Sequence, residues 1–403
     1  MPERTISPNF LPGQGQFFFT AKEINWFLRQ MYADDFGFYQ RLFRLYTYMP
    51  MNKKNKFIIH SPKGHPLMWQ PYTSCSYSET GSLTVGRREL EPEAIYMKEG
   101  FCHDILMDSC YEHMIRYATS GMVDLDEEAQ EIFRQFIEEV LTNAAWGYRL
   151  TLTSGQLYDV NAVEFSADNT ANITDLFKRT HGTARGWVKL LHDMSLEGYG
   201  HLDLNLTDSG DFDSLGFFTG SITELLDALI KNAKKPFRSL INRGGIVQEG
   251  RLSFYPLIVL SDGYFQAVVD YYNAEASKIA TNRMRITKRN FGGDNTPTPQ
   301  SVYYLDDRLP IIPLSDINGY DQYLKGTTQF AGIIASGNIQ LGTSFGAIPE
   351  DIEDRDIGVM VEREDRISSD KYGRFTVLSH SLVKSALADP DYAVATIDYT
   401  EPA

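Results

Sequence analysis

Apolar residues recur along this chain at two periods, and the switches between them divide it into parts. Pro2, Pro8, Pro12, Gly13 and Gly15 keep residues 1–19 from regular structure, and the segment reads as an arm. Thr20 followed by Glu23 forms a capping box, with Phe19 and Ile24 placed as a hydrophobic staple. Ile24, Phe27, Leu28, Met31 and Tyr32 continue at helical spacing, and a second amphipathic stretch runs from Phe36 to Leu45. The pattern then turns extended. Phe57–Ile59 reads as a short strand, and Leu83 and Val85 alternate with Ser82 and Thr84. Pro62, Gly64, Pro66, Pro71, Gly81 and Gly86 interrupt the segment, so it lacks the means to form its own core. A long helix is expected from about Asp124 to Tyr148, with Phe133, Phe136, Ile137, Val140 and Leu141 in one apolar stripe. At 1.5 Å per residue it would be roughly 35–40 Å long.

Residues 150–350 read as mixed α/β. Helical patterns cover about 172–194 and 221–242, and Leu252–Leu260 reads as a buried strand. Asp262 is placed to cap a helix with Phe265, Val268, Val269, Tyr272, Ala276 and Ile279 on its stripe. Strands are expected at Ser301–Leu305, Leu309–Leu314, Phe330–Ala335 and Asn338–Leu341, then at Gly358–Arg366, Arg374–His380 and Ala393–Tyr399. The fold class expected is α+β.

Composition narrows the function. Of 403 residues, 42% are hydrophobic and 13% aromatic, which suits a globular core and excludes a disordered, collagenous or coiled-coil chain. The net charge of −15 argues against general nucleic-acid binding, which needs clustered cations. Three cysteines (Cys75, Cys102, Cys110) are too few for a disulfide framework and read as reduced thiols. The first residues lack a signal peptide's apolar stretch, and no apolar run approaches the ~18 residues of a membrane span. The expectation is a protein made in a cytoplasm, with no membrane partner.

Candidate chemistry is sparse. Gly342-Thr343-Ser344-Phe345-Gly346 matches the nucleophile elbow, with acids and His380 following in the order of a serine hydrolase. The helix that must follow the serine is replaced by Ala347-Ile348-Pro349-Glu350-Asp351, so the motif reads as a strand end with turn glycines. Cys102, His103, Cys110 and His113 miss zinc spacing, since the cysteines are eight apart. Asp208-Ser-Gly-Asp211-Phe-Asp213 lacks two calcium ligands, Leu215 and Ile222 standing where oxygens are needed, and reads as a solvated acidic loop. Cations cluster at Lys278–Arg289 and at Lys231, Lys234, Lys235, Arg238 and Arg243. They read as solvated helix ends, with phosphate or the acids of a neighbouring subunit as other partners. No phosphate loop and no H-E-x-x-H motif occur. No catalytic residue, cofactor or metal is assigned.

The order of these parts is an arm, an extended excursion, a long helix, an α/β region and returning strands. It resembles the major capsid protein of tailed bacteriophages, the Hong Kong ninety-seven capsid fold. Residues 252–273 (LSFYPLIVLSDGYFQAVVDYYN) look like that family's strand running into an A-domain helix. Residues 327–345 end in its Gly-Asn-x-x-x-Gly-Thr type run, and 359–399 look like the closing strands. The resemblance implies an N-terminal arm and helices at 1–52, an E-loop at 53–97 and a P-domain with a spine helix at 98–154. It further implies an A-domain at 155–350 and closing P-domain strands at 351–403. The stripe Phe133, Phe136, Ile137, Val140 and Leu141 would be the spine-helix core, and Trp69, Tyr72, Tyr77, Arg87 and Arg88 the intersubunit contacts. The implied function is self-assembly, as hexamers and pentamers, into an icosahedral virion shell around double-stranded DNA that it does not read by sequence. The implied partners are a separate scaffolding protein, a portal and decoration proteins. Two alternatives stay open: a serine hydrolase using Ser344 and His380, and an encapsulin-like compartment built on the same fold.

Overall fold

The computed structural model describes residues 9–10, 16–18, 43–49, 56–64, 83–102, 146–158, 181–182, 184–243, 246–248, 251–253, 255–275, 285–291, 300–314, 317, 327–343, 359–364 and 374–400. Among these the chain is α+β, as expected. The first strands are β1 (Asn9–Phe10), β2 (Gln16–Phe18), β3 (Tyr46–Tyr48), β4 (Phe57–Gly64), β5 (Leu83–Leu90) and β6 (Glu93–Cys102). Helices α1 (Trp187–Leu196), α2 (Ile222–Asn232) and α3 (Lys235–Arg243) follow, then the small hairpin β7 (Ile246–Gln248) and β8 (Arg251–Ser253). Next come β9 (Pro256–Leu260), α4 (Asp262–Glu275), β10 (Ile286–Phe291), β11 (Gln300–Leu305), β12 (Leu309–Pro313) and β13 (Thr327–Ala335). The last strands are β14 (Ile339–Thr343), β15 (Val359–Glu364), β16 (Arg374–Leu387) and β17 (Ala393–Thr400).

Six strands form one sheet in the order β10-β11-β12-β9-β13-β17. Both faces are covered at its centre, which is why β9 and β12 read as continuous apolar runs rather than alternating ones. In β9, Leu257 and Val259 enter one core while Ile258 and Leu260 enter the other. Phe330 and Ile334 of β13 divide from Ala331 and Ile333 in the same way. One core contains the apolar faces of α2, α3 and α4. The other contains α1, led by Trp187, which is wholly buried and meets Phe330 edge-on at 5.3 Å.

The second sheet has seven strands in the order β1-β2-β15-β16-β14-β3, with β6 also paired to β16. At 14 residues, β16 is roughly 46 Å long. It holds β6 along one edge and β15, then β14, along the other. Two tight crossovers join the sheets, from β13 to β14 and from β16 to β17. Asn338 laces them together. Its Nδ2 donates to the carbonyls of Asp389 (2.9 Å) and Tyr392 (3.2 Å), and its Oδ1 accepts from the Asp389 N–H (2.9 Å). Because of these crossovers both sheets draw on residues from either side of position 350.

Five sequence expectations are corrected. The helix at 172–194 starts afresh at Trp187. Gly186 crosses the chain at Gly155 so closely that an added Cβ would lie 2.5 Å from the Thr153 carbonyl. The helix at 221–242 is two, because Pro236 has no N–H to bond Asn232 and instead sits in the first turn of α3. The strand at 252–260 is likewise two, with Pro256 opening β9. Ser261, not Asp262, is the N-cap of α4, since its carbonyl accepts the Phe265 N–H at 2.9 Å. The strand expected at Arg374–His380 runs on to Leu387.

Candidate functional site

The extended excursion is an antiparallel two-stranded ribbon. β4 and β5 pair from Phe57 opposite Leu90 to Gly64 opposite Leu83, and belong to neither large sheet. Its foot is anchored in its own chain. Phe57 and Ile59 are buried with Met49 and Ala386, and Leu90 and Leu382 pack against them. The Phe57 ring lies directly on Gly342, where an added Cβ would be 2.6 Å from it. That close approach requires the first glycine of the G-x-S-x-G run. Lys56 and Glu91 close the foot with an ion pair at 2.5 Å, and Glu93 is held by Lys384 and by the Arg185 N–H at 2.8 Å.

Of the expected contact residues, Arg88 is exposed on β5. Trp69, Tyr72, Tyr77 and the Arg87 side chain lie outside the described residues, as do Phe133, Phe136, Ile137, Val140 and Leu141. Ser344 lies outside them too, and His380 is described only by its backbone, opposite Tyr96. Two residues to which the sequence reading gave no such role, Asn338 at a strand start and Gly342 in the G-x-S-x-G run, prove to organise the joint and the ribbon foot.

A buried polar cluster ties the six-stranded sheet to α4. Thr207 Oγ1 and Tyr264 OH, 2.5 Å apart, both donate to Asp398 Oδ2, the tyrosine at 2.7 Å. Burial raises the Asp398 pKa, the two hydroxyl donors oppose this, and the charges of Asp203 and Asp208 add to the rise. Burial and the Asp398 charge raise the Tyr264 pKa as well. The hydroxyls are spent on the carboxylate and Tyr264 is wholly buried, so the cluster is a clamp and offers no nucleophile.

His181 is a second buried group, wholly enclosed. Its Nε2 accepts the Tyr158 N–H at 2.9 Å, and burial pushes its pKa down to about 4. Among the described residues no group of three or more His, Cys, Asp or Glu is placed to hold a metal. No helix among them is long and apolar enough to cross a membrane.

Charge is segregated within the α/β layer. The loop over the C-terminal end of β9 carries Asp208, Asp211 and Asp213, with Leu215 and Phe217 exposed beside them. It is seated there by Gln329 Nε2, which donates to the Gly216 carbonyl at 3.1 Å. At the N-terminal end of β9 lies α3, with Lys234, Lys235, Arg238 and Arg243 exposed at its start and along it. Arg308 fixes α3 there by donating to the Asn242 carbonyl at 2.6 Å.

No protein-family model matches the chain. No curated protein matches it either. Solved structures similar to it include a chain of the satellite phage P4 procapsid that contains the size determination protein. That chain is 8% identical with a TM-score of 0.44, over 91% of this chain and 95% of that one. A chain of the cyanophage A-1(L) capsid is 9% identical with a TM-score of 0.45, over 99% and 97%. A chain of an encapsulin complex from Synechococcus elongatus is 11% identical with a TM-score of 0.36, over 89% and 86%.

Proposed function

We propose that this chain is a shell subunit, the major capsid protein of a tailed phage, which assembles as hexamers and pentamers around double-stranded DNA. The observation that carries the reading is the β4–β5 ribbon. It extends for eight pairs outside both large sheets, with burial described only at its foot. Two strands alone are marginal in water and gain stability from a further packed partner. In a shell that partner is the adjacent subunit, and Trp69, Tyr72, Tyr77, Arg87 and Arg88 are the residues we assign to the contact. The order of arm, ribbon, α/β layer and long returning strand supports the same reading. So does an acidic chain that would not grip packaged DNA. A scaffolding protein, a portal and decoration proteins are the partners this function calls for, and assembly would take place in the host cytoplasm.

The test is to shorten the ribbon between Ser61 and Gly86, which keeps Phe57 and Ile59 at its foot. The expected product is a folded subunit that makes no stable shells by sedimentation and negative-stain imaging. Normal shells from the shortened chain, or a full-length chain that stays monomeric at every concentration and salt, sink the proposal. Shells that co-purify with a protein cargo and no DNA would mark a compartment instead.

A further inference from the structure

The charge segregation along the chain is sharp. Between Lys189 and Lys231 there is no Lys or Arg, while residues 231–243 hold five cations and no acid. The fold sends these two stretches to opposite ends of one layer. Asp208, Asp213 and Glu224 are exposed at the end where β9 finishes and α2 and α4 begin. Lys234, Lys235, Arg238 and Arg243 are exposed at the end where β9 starts, and they form no ion pair among the described residues. Acids near the basic end are largely engaged. Asp306 meets Arg308 at 3.5 Å, and Asp307 meets Arg289 at 3.8 Å, which leaves Asp391 exposed on the turn before β17.

The two ends cannot neutralise each other within one chain. α4 spans the layer between them, and its 14 residues measure roughly 20 Å. That is more than twice the Debye length of about 8 Å at physiological salt. A second copy can bring them into contact. A shallow hollow of about 280 Å³ is lined by Lys235, Arg238, Ser239, Asn242 and Arg243. The acidic end carries an apolar tip, Leu215, 74% exposed, for which the aliphatic stems of those cations supply cover.

We infer that copies of this chain join end to end through the α/β layer, the basic face of α3 receiving the acidic end around Asp208 of the next copy. The contact is heterologous, so repetition generates a ring or an open chain rather than a closed dimer. The inference deepens the shell reading, from which it takes its partner, and names surfaces through which subunits of one ring would meet.

Charge exchange tests it. One variant carries Asp208→Lys, Asp213→Lys and Glu224→Lys, which leaves only Asp211 at the acidic end and so makes both ends basic. The other carries Lys234→Glu, Lys235→Glu and Arg238→Glu, which leaves only Arg243 on that face and makes both ends acidic. Each alone should self-associate at least roughly tenfold more weakly than wild type by sedimentation velocity. Their equimolar mixture should associate, more tightly as salt is lowered. The mixture should close only even-membered rings, because the two variants must alternate. Circular dichroism controls for folding. If a reversal does not fold, the neutral pairs Asp208→Asn/Glu224→Gln and Lys235→Gln/Arg238→Gln should each weaken association, and their mixture should pair through the one intact contact and grow no further. The inference is overturned if either reversal associates like wild type, or if the mixture is no tighter than its parts. Wild type forming shells while both reversals also form them removes this contact and leaves the shell. A wild type that forms rings or open chains but no closed shell, and loses them in both reversals, removes the shell and leaves the contact.

Discussion

The six-stranded sheet and the β4–β5 ribbon both pair strands through the backbone, and they live in opposite circumstances. Each strand at the centre of the sheet has helices on one face and α1 or the second sheet on the other, so its apolar residues are satisfied within the chain. Among the residues whose burial is described, the ribbon is packed only at its foot, through Phe57, Ile59 and Leu90. On the proposed function, the difference separates what makes the subunit fold from what makes it associate. Damage to the sheet should show as lost stability of the isolated chain, and damage to the ribbon as lost assembly.

The largest effect should come from the sheet's centre. Trp187→Ala removes a wholly buried ring and leaves a cavity against Phe330 and Tyr46, at a cost of about 3–5 kcal/mol in denaturant unfolding. A loss under about 1 kcal/mol would break the comparison, because the sheet would then not carry the fold. Acid should act on the same region. His181 is depressed from 6.5 to about 4 by burial, so the unfolded chain binds its proton first. Stability is therefore full above pH 6.5 and falls as pH drops toward 4, by about 3 kcal/mol. His181→Gln, which keeps an acceptor for the Tyr158 N–H, should flatten that window of the pH profile. An unchanged profile would show that His181 is protonated in the fold.

The ribbon foot comes next. Gly342→Ala drives a methyl group into the Phe57 ring and should cost about 1–3 kcal/mol through displaced packing. Hydrogen exchange sharpens the comparison here. The ribbon amides should exchange faster while those of β9 and β13 stay protected. Uniform acceleration would make the foot part of the main core. The smallest effect belongs to Lys56→Ala. It deletes an ion pair whose Glu91 side chain is 76% exposed, and the melting temperature should not move measurably.

The sequence was most legible where burial is two-sided. Residues 256–260 and 330–335 announce themselves as strands because nearly every side chain must be apolar. The break between α2 and α3 was hidden for a physical reason. Leu229, Ala233, Phe237 and Ile241 are all buried at steps of four, so the helical period runs straight through the interruption. Only Pro236 betrays it. Gly342 was read for the hydroxyl two residues on, because the ring that demands a glycine there comes from Phe57, far away in the chain. The ribbon's existence was readable from its prolines and glycines, and its anchoring was not, since Ala386 and Leu382 lie beyond every local pattern. The basic and acidic stretches were visible as composition. Their placement at opposite ends needed the direction of β9.

The shared asparagine joint has a consequence for timing. Asn338 waits for carbonyls at Asp389 and Tyr392, and β16, the axis of the seven-stranded sheet, precedes only β17 among the strands. On a ribosome the earlier strands β3, β6 and β14 therefore emerge well before the strand that will order them. The ribbon foot, which needs Leu382 and Ala386, is set late, and the six-stranded sheet is completed later still by β17. The foot of the ribbon therefore cannot close until synthesis has passed residue 386, although its two strands can pair with each other long before.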